Sequence, residues 1–262
     1  MKLAICISQY FPYGGLQRDF LRVAQTALQR GHEVDIYTMS WSGEFLAGAR
    51  INFVPDKGWS NHAKIHHFSR YLAKSLAEKN YDVVLGFERM PGLSLYFAGD
   101  FCFSGNSKSH YPILRYMLPR YRKFQKLEAA VFSPKSLTKV ISINEEEKKV
   151  YQREYKTPDE RFVNIPPAID WQHSVSMTPV QRSDFRNKIS VSDDEFCLLF
   201  VGSDFDRKGL DRIFIAMAAL PAHQKEKVKL LVAGEGSERF FRGIVKRLDL
   251  VDKVIYLGPQ ED

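Results

Sequence analysis

The first 38 residues constrain the fold more than any other stretch. Leu3 to Ile7 is a short apolar run. Leu16 to Arg30 sets Leu16, Phe20, Val23, Ala24, Ala27 and Leu28 on one side of a helix, and Val34 to Thr38 is apolar again. Gly31 supplies the helix stop. Strand, helix and strand in so short a span make a βαβ unit, with a right-handed crossover and a parallel sheet. In such sheets ligands gather at the carboxyl ends of the strands, where Gly14 and Gly15 fall. Two readings of that pair stand: backbone N–H groups left bare for close approach of a ligand, or a tight turn that needs no ligand.

The alternation continues. Strands are expected at 51–54, 82–87, 95–98, 139–143 and 162–165, and a helix at 61–79. Gly99 and Asp100 lie at the carboxyl end of the strand over 95–98. Asn144 followed by Glu145, Glu146 and Glu147 is a helix start with acids in its first turn. Residues 1–165 form a first Rossmann-like domain. Residues 166–179, with three prolines, are a linker, and 180–262 are a partial second one. There, strands at 196–201, 228–233 and 254–257 alternate with helices at 208–220 and 237–249, too little for a self-sufficient core.

Within the second domain, Gly202 to Asp211 follows a buried strand and precedes an apolar-periodic helix. One reading is a phosphate grip, with turn and helix-start N–H groups joined by the Arg207 fork and the Lys208 point charge. The other is that Asp206 caps the helix and the cations are solvated. The stretch matches neither the Walker A pattern nor GxGxxG.

Charge is unevenly placed. The formal net charge is +7, and between Phe103 and Lys135 seven cations (Lys108, Arg115, Arg120, Arg122, Lys123, Lys126, Lys135) meet one acid, Glu128. The segment over 103–135 thus carries +6 and the rest of the chain +1. Helical spacing over 111–132, with Pro119 expected to kink it, leaves three readings. The segment is an amphipathic helix on an anionic membrane surface, a domain helix with solvated cations, or a nucleic-acid patch, the last without any accompanying motif. Three scattered cysteines suit a reducing cytoplasm and argue against a disulfide or zinc framework. No signal peptide is expected at the start, and no run approaches the ~20 apolar residues of a membrane span.

Taken together, these features resemble glycosyltransferases of the GT-B fold, family 4. The carriers are Tyr10-Phe11-Pro12-Tyr13-Gly14-Gly15-Leu16-Gln17-Arg18-Asp19-Phe20, Arg89-Met90-Pro91-Gly92-Leu93, Tyr96-Phe97-Ala98-Gly99-Asp100 and Gly202-Ser203-Asp204-Phe205-Asp206-Arg207-Lys208-Gly209. Within the family they look most like the branch that adds glucose to a heptose of the lipopolysaccharide core. The resemblance implies two Rossmann-like domains, the second incomplete in this chain, because the family's donor-gripping Glu-x7-Glu pair would lie past residue 262. It implies a retaining transfer from UDP-glucose to a heptosylated lipid A-core acceptor, with no metal or other cofactor and no nucleic-acid partner. Gly14, Gly15, Gly202 and Gly234 would bind the donor. Arg207 and Lys208 would hold the diphosphate and stabilise the departing UDP. Asp19, expected to start the helix behind the glycine loop, and Asp100 would contact the reacting sugars, although Asp100 also reads as a turn carboxylate. Arg115, Arg120, Arg122, Lys123 and Lys126 would hold the protein to the anionic inner face of the cytoplasmic membrane. The rival expectation is a truncated, non-catalytic module that binds the membrane surface or a lipopolysaccharide precursor.

Overall fold

The structure is a computed structural model that describes residues 1–12, 14–105, 118–167, 177–202 and 204–260. The chain divides into two compact units, Met1–Ile169 and Asp170–Asp262.

The first unit is built on a seven-stranded sheet in the order β5-β3-β1-β6-β7-β8-β9. The strands are β1 (Lys2–Cys6), β3 (Glu33–Thr38), β5 (Arg50–Phe53), β6 (Val83–Gly86), β7 (Leu95–Ala98), β8 (Lys139–Ser142) and β9 (Phe162–Asn164), with β2 (Gln9–Tyr10) and β4 (Ser40–Trp41) paired separately. Every pairing in the large sheet is parallel. Alternation along β1 shows why. Ala4 and Cys6 face a core with Phe68 and Leu72 of α2 (Asn61–Ala77) and Val131 and Phe132 of α3 (Pro119–Phe132). Ile5 and Ile7 face the other, with Phe20 and Ala24 of α1 (Gly15–Gln29). A strand buried on both faces reads as an unbroken apolar run. Strand order runs outward from β1 through β3 to β5, then returns to β6 on the other side of β1, so the topological switch point lies between β1 and β6.

Two expectations are corrected in this unit. Pro119 does not kink a helix over 111–132; it sits at the first position of α3, where its fixed φ is preorganised and its missing N–H costs nothing. Residues 111–117 lie outside the described residues, and Arg115 with them. Nor is the apolar side of α3 free to lie on a membrane: Tyr121, Leu127, Val131 and Phe132 are buried, and Phe132 stacks on Tyr151 of α4 (Glu145–Tyr155) with ring centroids 3.7 Å apart. Asn144 caps α4 as its sequence suggests, accepting from the Glu146 N–H at 2.9 Å.

The second unit holds a parallel sheet β10-β11-β12 (Phe196–Val201, Val228–Ala233, Val254–Gly258). Its helices are α5 (Pro179–Lys188), α6 (Phe205–Lys208), α7 (Leu210–Ala218), α8 (Ala222–Lys225) and α9 (Glu238–Arg247). Its core joins Phe205, Leu210, Phe214 and Met217 to Leu230, Val232, Phe241 and Val245. Pro179, read as the end of a linker, instead opens α5 beside a Thr178–Gln181 capping box. The continuous helix expected over 208–220 is two. Gly209, at φ 78°, breaks it after Lys208, because a left-handed residue cannot continue a right-handed turn. Among the described residues no helix is long and apolar enough to cross a membrane.

Candidate active site

In the first unit the carboxyl edge of the sheet collects the polar groups. Gly14 is the N-cap of α1 and Gly15 its first residue. A Cβ at Gly15 would meet nothing within 4 Å, whereas one at Gly14 would strike Gln17 and the Phe11 ring. The helix start is therefore open on its Gly15 side. It carries no acidic residue in its first turn, so its partial positive charge is not offset there. Gly99 packs on Leu16, since a Cβ at Gly99 would stand 2.6 Å from Leu16 Cδ1. That contact brings Asp100, exposed after β7, to the start of α1. Asp19 does not start the helix; it is the fifth residue of α1 and half-buried. Burial pushes its carboxyl pKa up, against the pull of Arg22 and Arg18.

Two residues that the sequence reading missed sit at the switch point. Ser8 follows β1, Glu88 follows β6, and the Ser8 hydroxyl donates to Glu88 Oε1. Burial raises the Glu88 pKa, the Ser8 hydrogen bond opposes this and the charge of Asp100 adds to it. A polar residue directly after each apolar run was the available signal. Their pairing, 80 residues apart, required the strand order.

In the second unit the carboxyl ends of β10 and β11 converge. A Cβ at Gly234 (φ 125°) would lie 2.1 Å from the Gly202 carbonyl oxygen, so only glycine allows these backbones so close. The Gly202 N–H donates to the Ala233 carbonyl at 3.0 Å, and the Asp204 N–H to Glu235 at 3.1 Å. Lys208 lays its stem over this junction, its Cγ 3.4 Å from where a Gly202 Cβ would be. Gly202, Lys208 and Gly234 are thus one constellation. Arg207 is turned elsewhere: its Nε pairs with Asp204 Oδ2 at 3.1 Å, both side chains about half exposed. The cap of this turn is Asp204, which accepts from the Arg207 N–H, and not Asp206 as the sequence suggests. The cations close a four-residue helix instead of opening the long one.

On α3, Arg120, Arg122 and Lys126 are exposed and Lys123 half-exposed. Arg122, Lys123 and Lys126 line a surface groove of about 610 Å³ with Pro119, Gln125, Ala129 and Tyr155. The field of this patch reaches α2, where the His66 pKa is lowered by burial first and then by Lys123, Arg70 and Lys126. Glu128, counted with these cations from the sequence, does not face them. It is fully buried and accepts from the N–H groups of Phe103 and Ser104 at 2.8 and 3.0 Å and from the Tyr155 hydroxyl at 2.7 Å.

Two units of parallel strands and helices, each with glycine-built turns at the carboxyl ends, match the architecture of the GT-B glycosyltransferases. Residues 13–173 match Glycosyltransferase Family 4 and residues 181–262 match Glycosyl transferases group 1, and the chain belongs to glycosyltransferase family 4. It is 35% identical over 264 residues to the lipopolysaccharide glucosyltransferase WaaG of Escherichia coli K12, covering all of this chain and 70% of that protein. The crystal structure of WaaG superimposes with a TM-score of 0.92 over 99% of this chain and 70% of that one. Anabaena HepE, solved with UDP-glucose, shares the fold at a TM-score of 0.67 and 16% identity, over 100% of this chain and 70% of HepE.

Proposed function

We propose that this glycosyltransferase moves glucose from UDP-glucose to a heptose of the lipopolysaccharide core with retention of configuration. The observation that carries the reading is the junction of Gly202, Gly234 and Lys208, joined to 35% identity with a protein named for glucosyl transfer in lipopolysaccharide. The N–H groups of Gly202, Asp204 and Gly234 are donated to main-chain carbonyls of the same unit. What suits a diphosphate here is close approach past the glycines and the flexible Lys208 ammonium, which supply room and positive charge but impose little shape. Taken by itself, the open start of α1 at Gly14 and Gly15 offers an anion the positive end of a helix.

In the transfer, the bond from glucose C1 to the phosphate oxygen breaks and UDP leaves with the electron pair. A bond from C1 to the acceptor oxygen forms, and the acceptor hydroxyl gives up its proton. Lys208 and Arg207 stabilise charge that grows on the leaving diphosphate. Stabilisation aimed at developing charge is worth on the order of 10²–10³ in rate per donor. These cations take the part a metal ion would otherwise play. Arg207 must leave Asp204 or share its outer nitrogens to join. Asp100 and Asp19 are the residues assigned to contact with the reacting sugars.

The outer cations of α3 hold the protein to an anionic membrane face by charge alone, since the apolar side of that helix is spent in the core. The test is transfer of radiolabelled glucose to a heptose-terminated core acceptor. Turnover with UDP-glucose supports the reading, and no turnover with any UDP-hexose sinks it.

A further inference from the structure

We infer that Glu128 is a positioning residue that sets the segment bearing Asp100. The inference deepens the reading above and, as far as transfer is concerned, rests on the role given there to Asp100.

Residues 100–105 form no helix or strand, yet their main chain is tied at almost every step to side chains from three other elements. Arg89, after β6, donates to the Phe101 carbonyl at 2.5 Å. The Tyr151 hydroxyl donates to the Asp100 carbonyl at 2.9 Å. Glu147 accepts the Cys102 N–H at 2.9 Å. Glu128 then takes the next two N–H groups in succession, Phe103 on one carboxylate oxygen and Ser104 on the other. Tyr155 donates to the second oxygen and is within 2.7 Å of the Ser104 hydroxyl. Arg89 Nε stands 3.5 Å from Glu128 Oε1.

Successive N–H groups on a turn make a small anion-binding concavity, and here the anion is supplied by the protein. Burying a carboxylate is costly, and a site that needed only filling would do as well with an apolar side chain. What the carboxylate adds is direction. It draws both N–H groups inward and so fixes the turn about its own axis. Asp100, at the head of the same turn and next to the Gly99–Leu16 contact, is thereby held outward beside the start of α1. The placement was legible in part: Glu128 lies seven residues after Tyr121 and four before Phe132, on the buried stripe of α3.

The experiment compares wild type with Glu128→Gln and Tyr155→Phe in the full-length protein, by amide hydrogen exchange, UDP titration and glucosyl-transfer kinetics. Gln keeps the size but turns one acceptor into a donor facing donors. The expected result is at least tenfold faster exchange over 102–105 with β1 and β3 unchanged. UDP affinity should stay within twofold, and kcat should fall tenfold or more with donor KM within twofold. Tyr155→Phe, which leaves the charge in place, should give an intermediate effect. The inference is overturned if exchange over 102–105 does not change. It is equally overturned if kcat falls only together with protection across the whole first sheet. Should wild type transfer no sugar, the functional reading fails separately and the exchange measurement alone decides whether Glu128 sets the segment.

Discussion

The approach of Gly234 to Gly202 sets a sharp test of the second unit. In Gly234→Ala the new Cβ would lie 2.1 Å from the Gly202 carbonyl oxygen and 2.7 Å from its carbon. These are main-chain atoms and cannot rotate away, so the ends of β10 and β11 must part by about 1 Å to restore ordinary contact. That movement stretches the 3.0 Å bond from Gly202 N–H to Ala233, which contributes about 0.5–1.5 kcal/mol. A side chain at φ 125° adds strain on the order of 1–3 kcal/mol. The sum, roughly 2–4 kcal/mol, corresponds to a melting shift on the order of 10–30 °C for a unit of this size. Gly243, exposed within α9 with nothing near its would-be Cβ, is the internal contrast. Gly243→Ala should stabilise by about 0.5–1 kcal/mol, because alanine loses less freedom in a helix. Calorimetry gives the melting points, and hydrogen exchange over β10 and β11 locates the loss. UDP affinity should fall with Gly234→Ala alone. A Gly234→Ala protein that melts within 2 °C of wild type with unchanged UDP affinity would refute the steric argument.

Lys208→Ala should weaken UDP binding about tenfold or more by titration calorimetry, and unchanged affinity would remove Lys208 from the site. Transfer should persist in EDTA, since Arg207 and Lys208 supply the positive charge; loss of turnover restored by a divalent ion would reverse that. Neutralising Arg120, Arg122, Lys123 and Lys126 should release the protein from anionic vesicles, given roughly 1 kcal/mol per cation near such a surface. Because the apolar face of α3 is buried, salt alone should do the same, as co-sedimentation would show. Glu88→Gln should flatten the pH dependence of stability. Burial raises the Glu88 pKa in the folded state, so its contribution is fully present below the unfolded carboxylate value of about 4.3. It is lost as pH rises through the raised folded value. Urea midpoints measured from pH 4 to 8 check this, and parallel curves for the two proteins would reject it.

The inner strands β1 and β6 were legible because burial on both faces writes them as apolar runs, and the amphipathic spacing of α1 did the same for its helix. The break at Gly209 was not, since Leu210, Phe214 and Met217 keep helical spacing and nothing local reports that Gly209 is left-handed. The capping role passed from Asp206 to Asp204 for the same reason. Lys208 and the glycines could be picked out as chemistry-bearing, but that Lys208 folds over Gly202 while Arg207 turns to Asp204 is a matter of rotamers. Ser8 and Glu88 depend on which strand lies beside β1, information that a switch in strand order hides from any local window.

That switch has a consequence for how the protein is made. β5, β3 and β1 are all synthesised by Phe53, but β1 has its second neighbour only when Val83–Gly86 arrive. The roughly 30 residues between take on the order of 1.5–6 s at 5–20 residues per second. Throughout that interval Leu3 to Cys6 present an unpaired edge whose side chains are meant for the interior. The nascent chain therefore passes through a stage ready to pair with another strand, and its yield should depend on holding factors at the ribosome and on the pace of translation between Phe53 and Val83.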